Sequence, residues 1–215
     1  MALIHRAEIT PTKPALLTRL LAGAPWAAGR ELVRLEVVDA YRLDDPSGDV
    51  GMEAFVLRVG DGPLLHVPVT YRGAPLEGGE PWLVGTMEHS VLGRRWVYDA
   101  VGDPTYLTTL LTAVATGGHQ ADYLVDVDGA LEPRVLTMTV TGSGGSAVGA
   151  TLEGPVTEEH VVTDATATTV TVGGRRVVVR RVLGDAAAPD LAATAGTLVG
   201  TWDEHDEVLA VVDPV

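Results

Sequence analysis

Apolar and polar positions alternate along this chain in two distinct rhythms. Leu16, Leu17, Leu20 and Leu21 recur at helical spacing, behind Thr12 as N-cap and with Pro14 in the first turn. Gly23 is placed to end that helix. Strand-like runs follow at 32–43 ("LVRLEVVDAYRL"), 52–59 ("MEAFVLRV") and 64–71 ("LLHVPVTY"), the last two joined by a "GDGP" hairpin signal. A further pair is predicted from "WLVGTM" (82–87) and "RRWVYDA" (94–100). The sharpest helix signal comes next. Asp103 caps it, Pro104 occupies its first position, Leu107, Leu110, Leu111 and Val114 share a face, and Gly117 and Gly118 close it.

Beyond residue 120 the pattern is almost wholly β. "YLVDV" (123–127) and "RVLTMTV" (134–140) flank an Asp128-Gly129 turn signal. The runs "SAVGATLEG", "TTVTV", "RRVVVRRVL", "GTLVGTW" and "VLAVV" follow, with a short helix expected within 184–196. The fold class read from this order is α+β: an N-terminal part (1–150) with a curved, mainly antiparallel sheet and two helices, then a β-rich part (151–215).

Composition narrows the function classes. The chain has 215 residues and a formal net charge of −14, a balance that disfavours nucleic acid, whose binders draw affinity from cation–phosphate contacts. With no cysteine, disulfides and thiolate chemistry are excluded. No apolar run reaches the roughly 18 residues of a membrane span, and "MALIHRAEITPTKP" lacks the apolar core of a signal peptide. A cytoplasmic location is therefore expected, with no membrane partner. Of fifteen basic residues only Lys13 is a lysine, a bias that matches a high-GC bacterial, actinobacterial genome.

Several local signals dissolve on inspection. "GSGGSAVG" (142–149) lacks the lysine of a phosphate loop and the spacing of a nucleophile elbow. "DVDGALE" (126–132) places Leu124 and Val135 where an EF-hand needs carboxylates. "DEHDE" (203–207) and "DDPSGD" (44–49) read as solvated turns, and His66 as a strand histidine. No metal site and no cofactor is expected.

The stretch "TMEHSVLGRRWVYDAVGDP" (86–104) is chemically the densest. Glu88 and His89 are candidates for a shared proton, and Arg94 and Arg95 for an anion clamp. These four are the candidate ligand-binding residues. Trp96 and Tyr98 fall on one strand face, and Arg94 and Arg95 on opposite faces. The favoured reading is a polar structural seam: Trp96 and Tyr98 pack into the core, Arg94 pairs with Glu88 or Asp99, and no residue is assigned a catalytic role.

Two of these segments resemble a known family. "HVPVTYRGAPL" and "LVGTMEHSVLGRRWVYDAVGDPTYLTTLL" are similar to the N-terminal cap of actinobacterial maltokinases and related sugar kinases, over residues 12 to 120. The matching positions are Tyr71-Arg72, Tyr98-Asp99-Ala100 and Asp103-Pro104. More weakly, "ATATTVTVGGRRVVVRRVL" (165–183) resembles the first strands of a kinase N-lobe, with Arg180 where such kinases carry a phosphate-gripping lysine. Arginine is not equivalent to that point charge. No His-Gly-Asp, His-Arg-Asp or Asp-Phe-Gly pattern of a catalytic C-lobe is present.

The resemblance implies a cap with an N-lobe remnant: a non-catalytic accessory or regulatory protein in glucan, maltose, trehalose or amino-sugar metabolism. It would act through a protein partner or a sugar-related ligand, and homo-oligomerisation stays open. The alternatives are a small enzyme with Glu88 and His89 as acid and base beside an arginine clamp, and a ligand-binding β-barrel.

Overall fold

The computed structural model describes residues 2–4, 7–127, 130–145, 152, 154–184 and 195–214. In chain order the elements are β1 (Ala2–Ile4), β2 (Ile9–Thr10), α1 (Lys13–Ala22), β3 (Leu35–Leu43), β4 (Val50–Val59), β5 (Leu65–Arg72), β6 (Leu83–His89), β7 (Gly93–Asp99) and α2 (Pro104–Thr116). The chain continues with β8 (Tyr123–Val127), β9 (Ala130–Pro133), β10 (Met138–Gly142), β11 (Val161–Thr163), β12 (Ala167–Val172), β13 (Arg175–Arg180), β14 (Gly196–Trp202) and β15 (His205–Pro214). The class is α+β and rich in mainly antiparallel strands, as the sequence pattern predicts.

Both helices begin and end on the residues the sequence marks. The Thr12 hydroxyl accepts from the Ala15 N–H, and the Asp103 carboxylate from the Thr105 N–H. Gly117 adopts the left-handed conformation (φ 71°) that ends α2 and is costly for a residue with a Cβ.

The strands form two six-stranded sheets, with a small third sheet of β1, β8 and β9. The first sheet runs β2-β6-β7-β5-β4-β3 and the second β10-β14-β15-β13-β12-β11. Strand β4 is apolar on both faces because both are covered. Phe55, Leu57 and Val59 pack beneath α1 with Leu16, Leu17 and Leu21, whereas Met52, Ala54 and Val56 face α2 and the second sheet. That second cluster also holds Leu107 and Leu110 of α2 and Val177, Val179, Leu198 and Trp202 of the second sheet, so the two sheets share one core.

Contact between α2 and β10 is tight enough to exclude side chains. A Cβ built on Gly142 would lie 1.9 Å from the Ala113 carbonyl oxygen, a backbone atom that cannot rotate away. Gly142→Ala is therefore expected to cost at least the roughly 1–3 kcal/mol typical of overpacking, read as a lower urea midpoint at constant slope.

The second sheet also reaches into the first. After β13 the chain leaves its own sheet: the Arg181 carbonyl accepts from the His66 N–H (2.9 Å), and the Leu183 N–H donates to the Leu64 carbonyl (2.8 Å). Val182 bridges Leu65 between them. Strand β7 pairs with β5 only over Val69–Arg72, and β4 holds the other edge of β5 along its whole length. Residues 181–183 thus occupy the part of β5 that β7 does not reach.

Two expectations are corrected. The run 134–140 does not form the second arm of a hairpin with 123–127. Strand β8 pairs with Ala130–Pro133, and β10 crosses to β14, where Met138 and Val140 find a buried face. Trp96 stays partly exposed, whereas Tyr98 on the same strand face is 2% exposed and accepts from the Leu76 N–H; neither belongs to a core cluster. The Asp128-Gly129 turn, the second half of the "GSGGSAVG" loop and the core of the expected helix at 184–196 lie outside the described residues.

Candidate functional site

Charged groups of the 86–104 stretch are distributed over three places. Near the turn of the β6–β7 hairpin, Glu88 and Arg94 are cross-strand partners, and Arg94 Nε donates to Glu88 Oε1 at 2.6 Å. Both side chains are mostly exposed, so this pair adds little stability. His89 points the other way, as its neighbour in a strand must. Its Nδ1 accepts from the Val91 and Leu92 N–H groups at 3.2 and 3.1 Å and shapes the hairpin tip. Arg95 lies opposite Glu88 and Arg94 in face. Its Nη1 comes within 2.9 Å of the position a Cβ on Gly73 would take, so glycine makes room for it there. The structure therefore joins Glu88 with Arg94 and separates both from His89 and Arg95.

The second place is the start of α2. Arg72 donates from Nε and Nη2 to the two oxygens of Asp103 at 2.7 and 2.6 Å, and Nη2 also reaches Thr105 Oγ1. This fork, opposed by burial, raises the Arg72 pKa. Asp103 is fully buried and caps the helix as well. Its replacement by alanine is expected to cost about 2–3 kcal/mol, more than the roughly 1 kcal/mol of a cap alone, since Arg72 loses its counter-charge. Urea denaturation of Asp103→Ala checks this.

The third place is the joint between the sheets. Arg181 has no exposed side-chain surface. Its Nη2 lies 2.7 Å from both Asp99 oxygens, its Nε donates to Thr168 Oγ1 at 3.0 Å, and its guanidinium stands 5.1 Å from the Trp26 ring centroid. Nη1 has no partner among the described residues. Beside it His66 is equally buried, with Nδ1 3.0 Å from the Arg180 carbonyl and Nε2 3.0 Å from the Tyr41 hydroxyl. A neutral ring donating from Nδ1 and accepting at Nε2 satisfies both. Burial lowers its pKa to about 3, aided by the charges of Arg181 and Arg180 and opposed by the Arg180 carbonyl.

A fourth cluster escaped sequence reasoning. Lys13 donates to both Glu53 oxygens (2.9 and 2.7 Å), Tyr71 donates to one of them at 3.0 Å, and Arg42 stands 3.5 Å away. Burial alone would raise the Glu53 pKa; Arg42 and Lys13, with hydrogen bonds from Lys13 and Tyr71, hold it below the usual range. The available signal was a carboxylate, Glu53, in the middle of a largely apolar strand. Arg180, matched above to a kinase lysine, is 7% exposed and donates to Glu207 and to the carbonyls of Val208 and Gly184. Among the described residues no group of three or more metal-ligating side chains assembles.

Residues 21–103 match the model of the maltokinase N-terminal cap domain, so this part of the chain is similar to that domain. The match runs from the end of α1 to the Asp103 cap and includes Tyr71-Arg72, Tyr98-Asp99-Ala100, Glu88, His89, Arg94 and Arg95. No curated protein matches the chain. No described helix is long and apolar enough to cross a membrane.

Proposed function

We propose that this chain is a non-catalytic accessory or regulatory protein of the cytoplasm, built on a maltokinase-type cap. It serves glucan, maltose, trehalose or amino-sugar metabolism through a protein partner or a sugar-related ligand. The cap match supports the metabolic setting by kinship, although fold kinship alone does not fix function. The observation that carries the non-catalytic part is how the charges of the dense stretch are used. Asp99 holds Arg181, Asp103 holds Arg72, and Glu88 holds Arg94. An acid–base pair of Glu88 and His89 would need both groups at one reacting atom, yet they lie on opposite strand faces.

Arg180 supports the same reading, because its bonds to Glu207 and two carbonyls leave it poorly placed to grip a nucleotide. The chain, purified free of host kinases, is expected to transfer no phosphate from ATP to maltose, glucose or glucosamine. Turnover near the usual kinase range of about 1–100 per second, measured by coupled ADP release, would overturn this reading.

A further inference from the structure

The cations around Glu53 outnumber their carboxylate. Lys13 at the start of α1 and Arg42 on β3 both face it, which leaves one positive charge in excess in a chain of net charge −14. Glu53 Oε2, the oxygen that faces Arg42, already accepts from Lys13 and from Tyr71, and so fills its two lone pairs. Arg42 is left with an ion pair at 3.5 Å, and its side chain donates no hydrogen bond among the described residues. Its Nε is sealed from solvent without a partner, while 22% of the side chain stays exposed. Lys13 gives two of its three N–H donors to Glu53 and keeps 29% of its side chain exposed.

Tyr123 stands beside them. The Ala121 N–H donates to the Arg42 carbonyl at 2.8 Å and fastens the start of β8 there, and the guanidinium lies 6.0 Å from the Tyr123 ring centroid. The Tyr123 hydroxyl is buried and has no partner among the described residues. Burial, aided by the Glu53 charge, pushes its pKa up to about 12, so it remains a donor at neutral pH. The outer charges that act on it, Arg134 and Asp39, oppose each other.

We infer that Arg42, Lys13 and Tyr123 form a binding site for a small oxyanion. A part-buried cation is costly unless counter-charge and hydrogen bonds replace its water, and Glu53 cannot supply both to two cations. The planar guanidinium presents a fork that matches two oxygens of a carboxylate or a phosphate, Lys13 adds a point charge, and Tyr123 adds a neutral donor. A neutral ligand leaves the excess charge in place, and a cation is repelled by it. The ligand enters over the exposed parts of Arg42 and Lys13, and Arg42 Nε and the Tyr123 hydroxyl are the inner donors that it satisfies. Because the three side chains come from α1, β3 and β8, the bound anion also ties the small third sheet to the first. The site lies apart from the 86–104 stretch and does not depend on the accessory reading.

The test is thermal melting of the whole protein at pH 7 in acetate, phosphate and chloride at one ionic strength. The wild type is expected to melt about 2–4 °C higher in at least one of the two oxyanions than in chloride, the shift that a few-fold excess over Kd gives a chain of this size. Tyr123→Phe removes only a hydroxyl without a partner, and Arg42→Met removes the fork while Lys13 stays on Glu53. Both variants are expected to fold and to lose most of the oxyanion-specific rise. Phosphate also stabilises folded proteins by exclusion from their surface, an effect the variants keep, so the difference between wild type and variant is what is read. A rise in acetate that the variants lose assigns the site to a carboxylate, and one in phosphate to a phosphate group. Equal melting of the wild type in all three salts, or a rise that either variant retains in full, would overturn the proposal.

Discussion

Replacing Asp99 with alanine is expected to destabilise the protein by about 3–5 kcal/mol, the range for breaking a buried ion pair from one side. Arg181 would keep its charge with no exposed side-chain surface and only Thr168 and the Trp26 ring as company. Asp99 itself is 19% exposed, so its own desolvation contributes less than the stranded guanidinium. The double variant Asp99→Ala with Arg181→Met should recover much of the loss, because an unbranched apolar chain tolerates the same pocket. Urea denaturation of both singles and the double closes the cycle. A cost below about 1 kcal/mol for Asp99→Ala, the range of an exposed pair, would show that water reaches Arg181.

A large acid sensitivity is expected from His66. Its folded pKa of about 3 lies below the ordinary 6.5, so between those values the unfolded chain holds a proton that the folded one refuses. Stability is then complete above pH 6.5 and falls as pH drops from 6.5 toward 3. The slope approaches about 1.4 kcal/mol per pH unit, on the order of 4 kcal/mol in all. Carboxylates such as Glu53, whose folded pKa is lowered, add their own loss at the acid end. His66→Asn, which retains a donor toward the Arg180 carbonyl, separates the two. Its stability should fall less steeply than the wild type between pH 6.5 and 4.5, where most carboxylates are still charged. Parallel slopes for the two proteins over that interval would contradict the assignment.

Local signals were legible in the sequence wherever their cause is local. Asp103, Pro104 and Gly117 fixed both ends of α2, since capping and left-handed termination depend on adjacent residues. The β4–β5 and β6–β7 hairpins were readable from alternation and short turns for the same reason. Arg94 pairs with Glu88, one of the two carboxylates expected for it. What was hidden depends on distant chain. Arg181 meets Asp99 across 82 residues, and Lys13 meets Glu53 across 40, so no window contains either pair. The sequence could place Trp96 and Tyr98 on one face but not tell which of them a second layer would cover. Tyr98 is buried and accepts from the Leu76 N–H, a residue far from it in sequence, whereas Trp96 stays partly exposed. Strand β10 was misassigned to a hairpin because alternation specifies a buried face without naming the partner strand.

The account turns on one claim: residues 181–183 bind the cap sheet and the β-rich sheet into a single structure. Native-state hydrogen exchange tests it most directly, because two amides cross the joint, those of His66 and Leu183. If the sheets form one cooperative unit, these amides exchange with the same opening free energy as Val56 in the cap sheet and Val177 in the second sheet, all at the global value. Exchange of His66 and Leu183 well ahead of both cores, or unequal opening energies for Val56 and Val177, would contradict it.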